Sequence, residues 1–149
     1  MQKKNPHPPT YFILSILLIV IAHLLFPIVI FIHFPWNLSG LPLLAASGIL
    51  NLLADNDFKQ AKTTVKPFEY STVLITKGVF RLSRNPMYLG MSLFLFGESI
   101  LFGSLSPFVV TVIFTLIMDL VFIKREEQML LEKFKEEYIS YKNRVRRWI

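Results

Sequence analysis

Apolar residues fall into four blocks separated by short or strongly basic intervals. Tyr11 to Phe34 holds no Asp, Glu, Lys or Arg and is long enough to cross a bilayer as a helix. Leu38 to Ala54 follows after Pro35, Trp36 and Asn37; it is short, contains Asn51, and carries a small-residue cluster, Ala45, Ala46, Ser47 and Gly48, suited to close helix contact. Met87 to Leu105 is interrupted only by Glu98, and Pro107 to Ile123 only by Asp119. A tight turn from Gly103 to Pro107 makes this last pair a hairpin. The expected fold class is therefore all-α, an integral membrane helical bundle in a single domain over 1–149, with about four transmembrane helices at 11–34, 38–54, 87–105 and 107–123. Lys3 and Lys4 could open a leader, but the first block exceeds a usual leader core and no small-residue cleavage site follows, so a retained anchor is expected.

The polar stretches 55–86 and 124–149 are too long to be mere connectors, and such segments in a compact bundle tend to carry function. The first has Pro67 within it, a β-prone run from Thr72 to Thr76, and a turn at Lys77 and Gly78. In the second, Leu130, Leu131, Phe134, Tyr138 and Tyr141 recur at helical spacing against a charged remainder, which predicts an amphipathic cytoplasmic C-terminal helix continuing from the fourth block. Asn85 followed by Pro86 is a helix-start signal and places the beginning of the third span there.

Composition and charge narrow the class. With 53% hydrophobic and 17% charged residues and a mean hydropathy of +0.50, the chain is neither disordered nor an ordinary soluble enzyme. The absence of cysteine excludes a disulfide framework and thiolate zinc, and three scattered histidines leave little for an imidazole site, so no metal is expected. A net charge of +6 raises nucleic acid as a partner, yet the charge is segregated between apolar blocks, and the membrane accounts for it better. Of the 16 Lys and Arg, two precede the first block, six lie between the second and third, and eight follow the fourth, with none in the other two loops. By the positive-inside rule this puts both termini and both long segments in the cytoplasm.

Candidate chemistry gathers at that cytoplasmic rim. Arg84, one residue before the start of the third span, joins a forked donor to free helical N–H groups, a combination that attracts carboxylate or phosphate; a guanidinium placed here also snorkels to lipid phosphates. Glu126 and Glu127, where the fourth span leaves the membrane, can receive a cation or belong to a salt-bridged face with Lys124, Arg125 and Lys133. Asp119 lies about 6 Å inside the membrane, on nearly the same face as Glu126 if the helix is regular, where it can line a substrate pocket or bond to Asn51. His23 and Glu98 are at similar depth and are expected to pair as a packing device. Gly90, Gly97 and Ser104 mark one face of the third span for close approach by another helix, and Trp36 and Trp148 read as interfacial anchors on opposite sides.

The run Thr63, Thr64, Val65 with Pro67, then Leu74, Thr76, Gly78, Phe80, Arg81, then Ser83-Arg84-Asn85-Pro86-Met87-Tyr88-Leu89-Gly90, resembles the integral-membrane isoprenylcysteine carboxyl methyltransferase and phospholipid methyltransferase superfamily. Glu126-Glu127, Leu131, Phe134, Glu137-Tyr138, Tyr141 and Arg146-Arg147-Trp148 are similar to its second signature, so the resemblance covers roughly residues 58 to 149. Asn85 stands where many members have His, and Lys135 where a Gly commonly precedes the Glu-Tyr pair.

The resemblance implies an S-adenosylmethionine-dependent methyltransferase of a bacterial inner membrane, acting on a lipophilic or lipid substrate, with membrane lipids as surroundings and neither nucleic acid nor metal as partner. It implies that Gly78, Arg84, Asn85, Pro86, Tyr88, Gly90, Glu126, Glu127 and Tyr138 form the cofactor site, with Arg84 also on the catalytic side; Asp119, from its position just inside the membrane, is the expected base or substrate-side residue. The cofactor presents one carboxylate, one ammonium and one sulfonium, which matches an anion receptor at Arg84 and a cation receptor at Glu126 and Glu127 on opposite walls. Isoprenylcysteine carboxyl O-methylation is the expected reaction. The alternatives are phosphatidylethanolamine N-methylation, an NADPH-dependent sterol or steroid reductase, disfavoured by the acidic pair, and a noncatalytic scaffold, which leaves Arg84 and the pair unexplained.

Overall fold

The computed structural model describes residues 7–61 and 73–149, so Lys3, Lys4, Thr63, Thr64, Val65, Pro67 and Thr72 lie outside the described residues. Every regular element among the described residues is helical: α1 (Pro8–Leu25), α2 (Gly40–Gln60), α3 (Pro86–Phe102), α4 (Leu105–Ile117) and α5 (Lys124–Arg144). Short 3-10 turns at Trp36–Ser39 and Gly78–Arg81 precede α2 and α3, and a π-helical stretch, Met118–Ile123, fuses α4 to α5. Three helical stretches, Pro8–Leu25, Trp36–Gln60 and Leu105–Arg144, are long and apolar enough to cross a membrane, and Pro86–Phe102 is a shorter apolar helix. The protein is an integral membrane helical bundle.

Helix boundaries follow local chemistry. Pro86 occupies the first helical position of α3, where its missing N–H goes unused. Gly103 ends α3 in the left-handed region at φ 71°, and only two residues separate α3 from α4. The first apolar block is not one helix to Phe34. It ends at Leu25 ahead of Pro27, and the following chain runs back over the hairpin turn. There Phe31 and Ile32 donate to the Gly103 carbonyl at 2.9 and 3.1 Å, and Leu105 donates to the Val29 carbonyl at 2.9 Å. Ser106 Oγ donates to the Phe26 carbonyl at 2.6 Å and Asn37 to the Leu101 carbonyl at 3.0 Å, so helix-end and turn acceptors are met inside the bundle, as an apolar surround demands.

The principal helix contact is α2 on α3. Gly40 and Gly97 face each other so closely that a Cβ on either would meet the other's carbonyl, and Gly90 leaves room for Asn51. The expected small-residue face of α3 is thus used at Gly90 and Gly97, while Ser104 bonds His23 at 2.8 Å. His23 also lies against Phe102 and does not pair with Glu98. His23 lies in the last turn of α1, beside the α3–α4 turn.

Two cores result. Ile19, Tyr88, Leu95, Phe114, Met118, Phe122 and Ile123 fill the bundle, and Ala54, Val79, Phe80, Tyr138 and Tyr141 join α2, the 3-10 turn and α5 at the rim. Of the β-prone run, the described residues 73–76 form no strand; Leu74 and Ile75 pack on the rim core instead. The amphipathic tail forms as expected, with Leu130, Phe134, Tyr138 and Tyr141 turned inward, although Leu131 stays exposed. Lys135 breaks its regularity at φ 45° and ψ −115°, a conformation suited to glycine, so the bend persists where the resembling sequences commonly carry Gly.

Candidate functional site

Four pieces of chain meet at the rim: the loop 82–85, the first turn of α3, the π stretch with the start of α5, and the C-terminal residues 145–149. The chain leaves α5 in extended conformation at Val145 and returns to the loop, where Arg84 N donates to the Arg146 carbonyl at 3.0 Å. Ser83 Oγ and Asn85 Nδ2 both donate to the Arg147 carbonyl at 3.1 Å. Asn85 thus occupies the helix-cap position expected of it, yet its side chain binds the C-terminal segment and makes no cap hydrogen bond.

These backbone ties set a line of charge. Arg84 Nη1 lies 2.9 Å from Glu127 Oε1, with side chains 7% and 11% exposed. The same nitrogen donates to Tyr138 Oη at 3.0 Å, while the buried Arg84 Nε has no partner among the described residues. Arg147 forks onto Glu127, Nε to Oε1 at 3.2 Å and Nη2 to Oε2 at 2.6 Å, and its Nη1 reaches Asp119 Oδ1 and Oδ2 at 3.3 and 3.2 Å. Trp148 Nε1 donates to Asp119 Oδ1 at 3.0 Å. Two guanidinium groups and two carboxylates therefore alternate in one neutral chain, Arg84, Glu127, Arg147, Asp119. Hydrogen bonding to the Glu127 carboxylate is the main reason the Arg147 guanidinium is held above its ordinary pKa. Burial and the Glu127 charge push the Tyr138 phenol up, against the opposing pull of Arg84.

Glu126 stands apart from that chain. Its Oε1 accepts the Tyr88 hydroxyl at 2.6 Å. Burial raises its carboxyl to about 7, the Tyr88 hydrogen bond offsetting part of the shift.

Three expectations change. Arg84 and the acidic pair are not on opposite walls, because Glu127 is in contact with Arg84. Asp119 binds Arg147 and Trp148 and makes no bond to Asn51, whose Oδ1 is buried without a partner. Trp148 is no interfacial anchor; it packs on the bundle core and serves Asp119, while Trp36 on the other end is exposed.

The structure brings Arg84, Glu127, Tyr138 and Asp119 into one network through Arg147, with Asn85 tied to the same Arg147, and sets the Tyr88–Glu126 pair on the neighbouring turns. Gly78 and Gly90 face α2: Gly78, at φ 57°, packs on the Asp57 carboxylate that accepts Val79 N at 3.0 Å, and Gly90 packs on Asn51. Pro86 is buried at the head of α3. Arg147 and Trp148 escaped the residue-by-residue reading because nothing in a terminal Arg-Arg-Trp shows that the chain turns back; the signal available was their place in the second signature.

Chemically, the rim combines spare capacity of both signs. The Arg84 Nε can donate to an anion, and the Glu126 carboxyl can ionise to meet a cation.

Comparison with known proteins is consistent with that chemistry. The profile of the phospholipid methyltransferase family matches residues 36–137. Over 95 residues, 62% of the chain, it is 37% identical to the protein-S-isoprenylcysteine O-methyltransferase of Saccharomyces cerevisiae, and it spans 38% of that protein. Over 63 residues, 42% of the chain, it is 38% identical to the full length of an uncharacterized protein of Haemophilus influenzae. No solved structure matches the chain.

Proposed function

The chain belongs to the phospholipid methyltransferase family, and from that premise we propose that it is a membrane methyltransferase that uses S-adenosylmethionine to methylate a lipophilic acceptor, with the prenylcysteine carboxylate as the acceptor class. The observation that carries this reading is the buried Arg84, whose Nε is unpartnered beside an otherwise saturated ion network, next to a carboxyl that no such network engages. Arg84 would hold the cofactor carboxylate through that Nε, and Glu126 would face its positive charge. When bound, the cofactor supplies a methyl group on a sulfonium, an electrophile needing no activation by the protein.

The residues present supply binding, orientation and exclusion of water. Tyr138 and Glu127 fix the Arg84 guanidinium, and Arg147 fixes Glu127. Trp148 and Arg147 both donate to Asp119 and fix its position. An amine acceptor such as phosphatidylethanolamine must lose a proton before it attacks, and Asp119, the residue expected for that task, is already engaged by Arg147 and Trp148. A carboxylate acceptor needs no base, and a dry pocket favours attack that neutralises opposite charges. A phosphate-rich nicotinamide cofactor fits less well, since both rim arginines are already engaged by carboxylates. The positive-inside rule supports a cytoplasmic side for this site and both termini, with the acceptor arriving from the bilayer.

Purified protein in detergent should transfer label from methyl-labelled S-adenosylmethionine to a prenylcysteine analogue, with base-labile methanol release marking the ester. Label appearing only in a base-stable amine of phosphatidylethanolamine would overturn the carboxylate acceptor. Binding of NADPH in place of S-adenosylmethionine would overturn the class.

A further inference from the structure

The rim arginines and carboxylates cancel, two against two, and each is held by others of the set. That chain offers no net charge to an incoming cation. Glu126 is different: the partner of its carboxyl is the Tyr88 hydroxyl at 2.6 Å, and Tyr88 lies in the apolar core with Ile19, Phe122 and Ile123. Among the described residues, the charged groups of the elements that meet here are Arg84 from the loop, Asp119 from the π stretch and Arg147 from the C-terminal segment, all in the neutral chain, and Lys124, Arg125 and Glu127 on the same helix, the first two exposed. An acidic group beside an aromatic ring, in apolar surroundings and with one oxygen already accepting a bond, is poorly furnished for an ammonium, which brings N–H donors that need several acceptors. It is well furnished for a cation that brings charge and no donor.

A sulfonium is such a cation. The cofactor carries one carboxylate, one ammonium and one sulfonium, for a net charge of +1, whereas the thioether left after methyl transfer is net neutral. We propose that the Glu126–Tyr88 pair is the sulfonium receptor and the specificity determinant that lets this protein hold the charged cofactor in preference to its thioether product. The proposal rests on the methyltransferase reading above and adds to it a division of labour: Arg84 for the carboxylate, Glu126 with Tyr88 for the sulfonium. Burial supports it, since a carboxyl raised to about 7 is half-protonated at neutral pH in the free protein and gives up that proton to meet the sulfonium. Cofactor binding is then accompanied by proton release, product binding is not, and the proton returns as the charge disappears.

Titration calorimetry on the full chain in detergent tests this, with S-adenosylmethionine and S-adenosylhomocysteine as probes at pH 6, 7 and 8. Each titration is repeated in two buffers of different ionisation enthalpy to count protons. For a group titrating near 7, the affinity ratio of cofactor to product should rise about tenfold from pH 6 to pH 8, with roughly half a proton released per cofactor bound at pH 7. Glu126→Gln should flatten the pH dependence of the ratio and lose more affinity for the cofactor than for the product. Tyr88→Phe, which keeps the ring, removes the hydrogen bond that favours the ionised carboxyl and should move the rise to higher pH. Both ligands binding with a ratio that does not change with pH, or both weakening equally in Glu126→Gln, would overturn this inference while leaving the methyltransferase reading intact. Binding of neither would overturn that reading and this inference with it.

Discussion

Replacing Glu127 with Gln tests whether the rim is held by its ion network. The substitution keeps shape and removes one negative charge from between two guanidinium groups. Arg84 is 7% exposed and Glu127 11%, so water cannot take over the lost partner. Removing one member of a buried pair costs about 3–5 kcal/mol, because the other is left buried and uncompensated. Arg147 keeps Asp119, at 3.2 Å, so the loss falls chiefly on Arg84. At about 2–4 °C per kcal/mol for a chain of this size, the melting temperature should fall by roughly 6–20 °C. The assay is thermal unfolding in detergent, followed by tryptophan fluorescence, since Trp148 sits on Asp119 within the network. Adding Arg84→Gln should recover much of the loss, because the unpaired charge is then gone, and the two changes should be strongly non-additive. A Glu127→Gln protein melting within about 2 °C of the parent, or a double variant whose losses simply add, would refute the reasoning.

Two further outcomes follow from single residues. Lys135→Gly should raise stability by about 1 kcal/mol or more, since φ 45° is strained for lysine and open to glycine, and a lower melting temperature would show that the bend is not strained. The Glu126 carboxyl lies above its ordinary value in the folded protein, so its contribution is fully present below the unfolded value near 4.5 and is lost as pH rises through about 7; stability should decline across that window, and Glu126→Gln should remove the decline.

Much of the architecture was legible in the order of residues. Four apolar blocks of helix length, with the basic residues confined to the termini and one long segment, point to a membrane bundle, because the backbone can satisfy itself in lipid only within helices or closed barrels. Asn85-Pro86 marked the start of α3 and Gly103 its end, both through backbone chemistry that acts within a residue or two. The amphipathic spacing from Leu130 to Tyr141 marked the tail as a helix with one inward face. The rim location of Arg84, Glu126, Glu127 and Tyr138 came from the same local patterns and from resemblance.

Pairing was decided elsewhere. A regular helix would keep Asp119 and Glu126 on nearly one face, but the π stretch Met118–Ile123 has a wider turn and shifts their phase, by about 100° for each residue inserted. They part: Asp119 meets Arg147 and Trp148, and Glu126 meets Tyr88. The break at Lys135 and the extended Val145 then carry the terminal residues back to Ser83, Arg84 and Asn85. His23 met Ser104 and not Glu98. Hydrophobic periodicity describes one helix at a time and says which face is buried. Which side chain meets which across the bundle depends on the phase and angle of several helices at once, and here a π turn, one strained lysine and a returning C-terminus settled it.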